Sequence, residues 1–106
     1  MPADDARALH VITTFEVNPG TCQDLLDELA DAYRTHARRQ PGFVAATLHV
    51  NDAQTRIALH SRWRDRQDFL AFLRTDEMRE CTRRANELCR SFEPVLYEEV
   101  ASIDRA

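Results

Sequence analysis

The apolar positions change their period several times along the chain, and each change marks an element. Residues 9–17 (LHVITTFEV) are mostly β-branched or aromatic, which predicts a strand, and Asn18-Pro19-Gly20 stops it. From Cys22 onward Leu25, Leu26, Leu29, Ala32, Tyr33 and Ala37 recur at helical spacing. Asp24, Asp27, Glu28, Asp31, Arg34 and Arg38 make the other side of that helix charged. Thr21 offers an N-cap hydroxyl, with Asp24 complementing the helix N-terminus, and Pro41-Gly42 ends the element. Residues 43–50 (FVAATLHV) and 56–64 (RIALHSRWR) read as two further strands. A short turn beginning at Asn51-Asp52 joins them into an antiparallel hairpin. Asp65 is placed to cap a helix with Phe69, Leu70, Phe72 and Leu73 on its apolar side. Thr75-Asp76 opens another helix, lined by Met78, Cys81, Thr82, Ala85, Leu88 and Cys89. Pro94 cannot lie inside a helix, and residues 95–100 (VLYEEV) predict a fourth strand.

The order is β-α-β-β-α-(α)-β, the split βαβ arrangement of an α+β, ferredoxin-like fold. It predicts a four-stranded antiparallel sheet with helices on one face. The whole chain, 1–106, reads as one domain with loose tails at 1–7 and 102–106. The hairpin has two possible registers. One pairs His49 with Ile57, Thr47 with Leu59, Ala45 with Ser61 and Phe43 with Trp63, all on one side. A slip of one residue sets His49 beside His60 and away from Trp63, because side chains alternate between faces. The sequence leaves both open. In either register the second strand is apolar on both sides, and the helices cover only one. The simplest cover for the other is a second copy of the chain, closing sheet on sheet as a homodimer.

Composition narrows the function classes. A formal charge of −4 over 106 residues argues against non-specific binding to nucleic acid. No apolar run approaches the ~20 residues of a membrane span, and MPADDARALH has no apolar core of a signal peptide. A cytoplasmic domain without a membrane partner is the expectation. All 14 basic residues are Arg, which removes lysine Schiff-base chemistry. Cys22, Cys81 and Cys89 form no CxxC pair, so reduced thiols are expected, with neither a disulfide framework nor a metal site.

Several segments together resemble the antibiotic biosynthesis monooxygenase family of dimeric α+β barrel proteins. They are VITTFEVNPGTCQDLLDEL, the Pro41-Gly42-Phe43 triplet, His49 near the end of the second strand, Trp63 near the end of the third, and Phe69-Leu70-Ala71-Phe72-Leu73 after an Arg/Asp-rich start. The resemblance covers about residues 9–100. It implies a pocket between sheet and helices, and oxidation of aromatic polyketides or quinols with O2, often without flavin or metal. It implies His49, Trp63 and Arg83 as catalytic pocket residues by their positions, and it favours the register that places His49 and Trp63 on one face. The family's anthrone oxidases carry an Asn four residues before the Trp and often a Tyr six residues after it; this chain has Leu59 and Phe69 there. The haem-degrading branch needs an Asn in the first strand and a His on the helix after the Trp, and neither is present.

In chemical terms, triplet oxygen reacts with an organic substrate once that substrate can give up an electron, which an anion in a dry pocket does. His49 suits the proton acceptor, Trp63 a stacking surface and Arg83 a counter-ion. Tyr33, Phe43, Leu59, Phe69 and Phe72 are candidates for the walls of a substrate site. Three function classes follow. The first is an oxygenase, either cofactor-free or using reduced flavin supplied as a diffusible cosubstrate by a partner reductase. The second is a non-redox cyclase or isomerase on the same fold, and the third a binding subunit without chemistry.

Overall fold

The computed structural model describes residues 8–106; the tail expected at 1–7 lies outside the described residues. Four strands form one sheet: β1 (Leu9–Glu16), β2 (Phe43–Val50), β3 (Arg56–Trp63) and β4 (Ser91–Glu98). Three helices accompany it, α1 (Pro19–Thr35), α2 (Arg66–Leu73) and α3 (Asp76–Leu88), with a 3-10 turn at Ala37–Arg39. The strand order is β2-β3-β1-β4 and all pairings are antiparallel. This is the α+β ferredoxin-like fold expected from the order of the elements.

Local chemistry accounts for most boundaries. The Asp65 side chain accepts a hydrogen bond from the Asp68 amide at 2.9 Å, and Thr75 does the same for Met78 at 3.2 Å, so α2 and α3 begin at the expected caps. The first helix departs from expectation. It starts at Pro19, with Asn18 extended before it and no side-chain cap. Proline suits a first helical position, where its missing N–H has no acceptor. The Thr21 hydroxyl instead donates to the Leu88 carbonyl at 2.8 Å, tying the start of α1 to the end of α3. At the hairpin, the Asn51 side chain accepts from the Thr55 and Arg56 amides, each at 2.9 Å. Gly42 has φ +84, and a Cβ there would collide with the Asp68 carboxylate.

The fourth strand begins four residues before its expected start, and Pro94 lies inside it, paired with Thr13. β4 is an edge strand, where a residue without an N–H need not break a ladder. The last residues, 99–106, have no regular structure and are exposed.

The hairpin register differs from the expected pairing. Phe43 pairs with Trp63, but from Ala45 onward the pairing is slipped by one: Ala46 with Ser61, Leu48 with Leu59, His49 with Ala58. An irregularity at Val44 inserts one residue into β2, as a β-bulge does. Phe43, Ala46 and Leu48 can therefore all pack on the core. His49 goes to the opposite face, so the placement of His49 and Trp63 on one face is not found. The physical cause is that both alternations of β2 are apolar, and packing of Phe43 at one end and Leu48 at the other requires the extra residue.

The core lies between the sheet and the helices. Val11 and Phe15 of β1, Ile57 and Trp63 of β3, and Cys22, Leu25 and Leu29 of α1 are each at most 3% exposed. Among the described residues no helix is long and apolar enough to cross a membrane.

Candidate functional site

A cavity of about 360 Å3 opens on the helix-covered side of the sheet, a size typical of small-molecule sites. Its floor is the sheet, through Thr13, Phe15, Leu59, Phe92 and Pro94. Its walls are Leu29 and Tyr33 of α1, Phe69 and Leu73 of α2, and one side of α3. That side presents Met78, Arg79, Cys81, Thr82 and Ala85, so the polar groups at the cavity are few.

Tyr33, Leu59 and Phe69, expected at a substrate site, line the cavity. Phe43 and Phe72 do not; they belong to an aromatic knot around Trp63. Trp63 is fully buried, stacked on Phe72 at 5.0 Å, with Phe43 edge-on at 5.2 Å and Phe69 tilted at 5.7 Å. Its indole N–H donates to the Ser61 hydroxyl at 3.1 Å. Trp63 thus supports the cavity wall from behind through Phe69 and presents no surface to the cavity.

Arg83 is likewise outside the lining. It is exposed on α3, where its guanidinium pairs with the Glu80 and Glu87 carboxylates. Arg84 pairs with Glu28 of α1 at 2.8 Å. The arginine that reaches the cavity is Arg79, one helical turn earlier, and among the described residues it makes no ion pair. Helical spacing holds the signal for it, since Arg79 precedes by three residues Thr82, itself on the apolar side. Thr13 was also legible, at the inward alternation between Val11 and Phe15. Phe92 and Pro94 escaped because the fourth strand starts earlier than its apolar run suggests.

Burial sets the protonation of the cavity's weak acids. It pushes the Tyr33 phenol well above its usual value, with the Ser61 side chain opposing in part. It also pushes the Cys81 thiol up to about 11, assisted by the Glu28 carboxylate. Both remain protonated at neutral pH.

The outer face of the sheet carries a different cluster. His10 Nδ1 and His60 Nε2 are 2.8 Å apart, with their rings stacked at 5.1 Å. His10 Nε2 is buried without a hydrogen-bond partner and lies 3.8 Å from a Glu99 carboxylate oxygen. Burial, followed by His10, Arg62 and His49, holds the His60 imidazole below its ordinary value of 6.5. The fold therefore prefers neutral His60. As pH falls through 6.5 the unfolded chain binds a proton that the folded chain resists, so stability is unaffected by this group above that pH and declines below it. At fixed protein concentration the melting temperature should fall between about pH 7.5 and 5.5, and by less in His60→Gln. The same fall in both proteins would remove His60 as its origin. Among the described residues no group of three or more His, Cys, Asp or Glu side chains is placed to hold a metal ion.

The comparisons with known proteins agree with this architecture. The model of the family described as antibiotic biosynthesis monooxygenase matches residues 8–84, and the chain belongs to that family. Among solved structures, the monooxygenase from the gene ActVA-Orf6 of Streptomyces coelicolor, in complex with nanaomycin D, is similar at 20% identity and a TM-score of 0.83, over 95% of each chain. SnoaB from Streptomyces nogalater, a cofactor-independent oxygenase, is similar at 20% identity and a TM-score of 0.76, over 93% of this chain and 99% of that one. A conserved protein from Methanosarcina mazei Go1 reaches a TM-score of 0.85 at 14% identity, over 94% of this chain and 100% of that one. No curated protein matches the sequence.

Proposed function

We propose that this chain is a small oxygenase that oxidises an aromatic polyketide or quinol-type substrate with O2 in the cavity between sheet and helices. The observation that carries the reading is the cavity itself: an apolar, partly aromatic chamber with few polar groups, in a chain of a monooxygenase family. Such a chamber excludes water from a carbanion or phenolate and its oxygen adduct. In the overall reaction a phenolic ring loses its O–H hydrogen and one ring hydrogen. One oxygen atom becomes a new ring carbonyl, and the other leaves with both hydrogens as water. No external reductant is required, in line with the description of SnoaB as cofactor-independent.

The test is oxygen uptake by the purified protein with a panel of anthrones, naphthols and polycyclic phenols, each with and without reduced flavin. Substrate-dependent uptake and quinone formation without flavin are expected. Product formation only with reduced flavin would move the reading to a flavin-assisted oxygenase. No substrate-dependent uptake in either arm would overturn it in favour of a cyclase or a binding protein.

The same proposal includes a homodimer formed through the outer face of the sheet. Support comes from the side chains left there without a helix to cover them: Val95 at 37% and Tyr97 at 48% exposure, beside the His10–His60 pair. Sedimentation of the 12.2 kDa chain should give a species of twice that mass, and Tyr97→Glu should shift it toward the monomer. A wild-type monomer at working concentration would remove the dimer from the reading.

A further inference from the structure

We infer that the cavity receives its aromatic substrate as an anion already formed in solution, with Arg79 as the counter-ion, and that no residue of the cavity acts as the base. For the identity of the substrate as an oxidisable phenol or enol, this rests on the proposed oxygenase function. The part concerning charge does not.

The inventory of the lining carries the argument. Its polar side chains are Thr13, Tyr33, Arg79, Cys81 and Thr82; among the described residues no carboxylate and no imidazole lines it. Histidines are elsewhere: His10, His49 and His60 belong to the uncovered face of the sheet, and His36 follows the end of α1. Of the carboxylates on or against α3, Glu28, Glu80 and Glu87 are engaged by Arg83 and Arg84, while Asp76 and Glu77 in its first turn lie outside the lining. Threonine hydroxyls do not accept a proton to any useful extent at neutral pH, and burial keeps the Tyr33 phenol and the Cys81 thiol protonated. These groups donate hydrogen bonds to an anion and cannot generate one.

Arg79 completes the picture. Among the described residues it is the sole charged residue of the lining and pairs with no carboxylate, whereas the next two arginines of α3 both do. It is exposed, which places it at the cavity mouth rather than in its depth. An anion entering an apolar chamber loses hydration, and that loss is offset only by a partner charge and hydrogen bonds. A planar guanidinium offers two parallel N–H donors to a carboxylate, or a single charge-assisted bond to a phenolate. The ligand class that fits is a flat aromatic body bearing an acidic phenol, an enol of a 1,3-dicarbonyl, or a carboxylate.

The charge preference is tested without turnover, by anaerobic titration with 2-naphthoate and its neutral isostere 2-naphthamide. Wild type should bind the naphthoate about tenfold more tightly, the scale of one charge-assisted hydrogen bond. Arg79→Gln should lose that preference while its affinity for naphthamide and its melting temperature stay unchanged. Arg83→Gln should keep it. Equal binding of the two probes by wild type, or a preference that survives Arg79→Gln, would overturn the inference. If the oxygen-uptake panel yields substrates, kcat/KM for two phenols of different acidity gives a second arm. The rising limb of the pH profile should move with the acidity of each phenol, and a limb common to both would reveal a base on the protein. If the panel yields none, the oxygenase reading fails while the naphthoate titration still decides the role of Arg79.

Discussion

Trp63→Ala is expected to destabilise the protein by about 3–5 kcal/mol, the range for removing a large aromatic from a core. Three rings pack on the indole, from the start of β2 and from both turns of α2, so its removal leaves a void bordered by elements that cannot easily close it. A second cost falls on Ser61, which is 1% exposed and would lose the indole N–H as donor. Trp63→Phe should cost less, because a ring still fills most of the space. Urea unfolding of both variants checks the order, and a Trp63→Ala loss below about 1 kcal/mol would contradict a structural role. The same pair separates packing from chemistry. Trp63 has no surface in the cavity, so Trp63→Phe should leave naphthoate binding within a few-fold of wild type.

Thr82→Trp is expected to weaken ligand binding by about a hundredfold, or about 2.7 kcal/mol, with little change in melting temperature. Thr82 is half-buried on α3 and lines the cavity, and among the described residues its side chain takes part in no hydrogen bond that would be lost. An indole at this position occupies part of the cavity bounded by Leu59, Phe69 and Phe92. The partial exposure of the site gives the larger side chain room to adjust, which limits the overpacking penalty. Circular dichroism and thermal melting should report a native fold, and oxygen uptake should fall in parallel with binding. Unchanged binding would locate the ligand outside this cavity.

The candidate site was legible in proportion to how local each signal is. Tyr33, Leu59 and Phe69 were found because they lie on the apolar sides of elements whose type the sequence makes plain. Arg83 is implied only by the family resemblance, through its position on the last helix. The structure turns it outward, because Glu80 and Glu87 lie within one turn of it and capture its guanidinium. Arg79 has Asp76 at the same three-residue spacing, yet among the described residues it makes no ion pair, and it reaches the cavity. Four arginines within twelve residues of α3 and its end cannot be told apart by composition: Arg79, Arg83, Arg84 and Arg90 differ only in which neighbours face them.

The sequence by itself determined the number, type and order of the elements, because these depend on short-range physics. Periodicity, the Asp65 and Thr75 caps, the Asn51 turn and the Gly42 bend each act within a few residues. Tertiary structure decided which face each residue occupies. In a strand one inserted residue reverses every side chain beyond it, and β2, apolar on both alternations, gives no local reason to prefer either. The bulge at Val44 settles the matter by allowing Phe43 to meet Trp63 while Leu48 meets Leu59. That single long-range compromise sends His49 to the outer face, away from Trp63 and the helix-covered cavity.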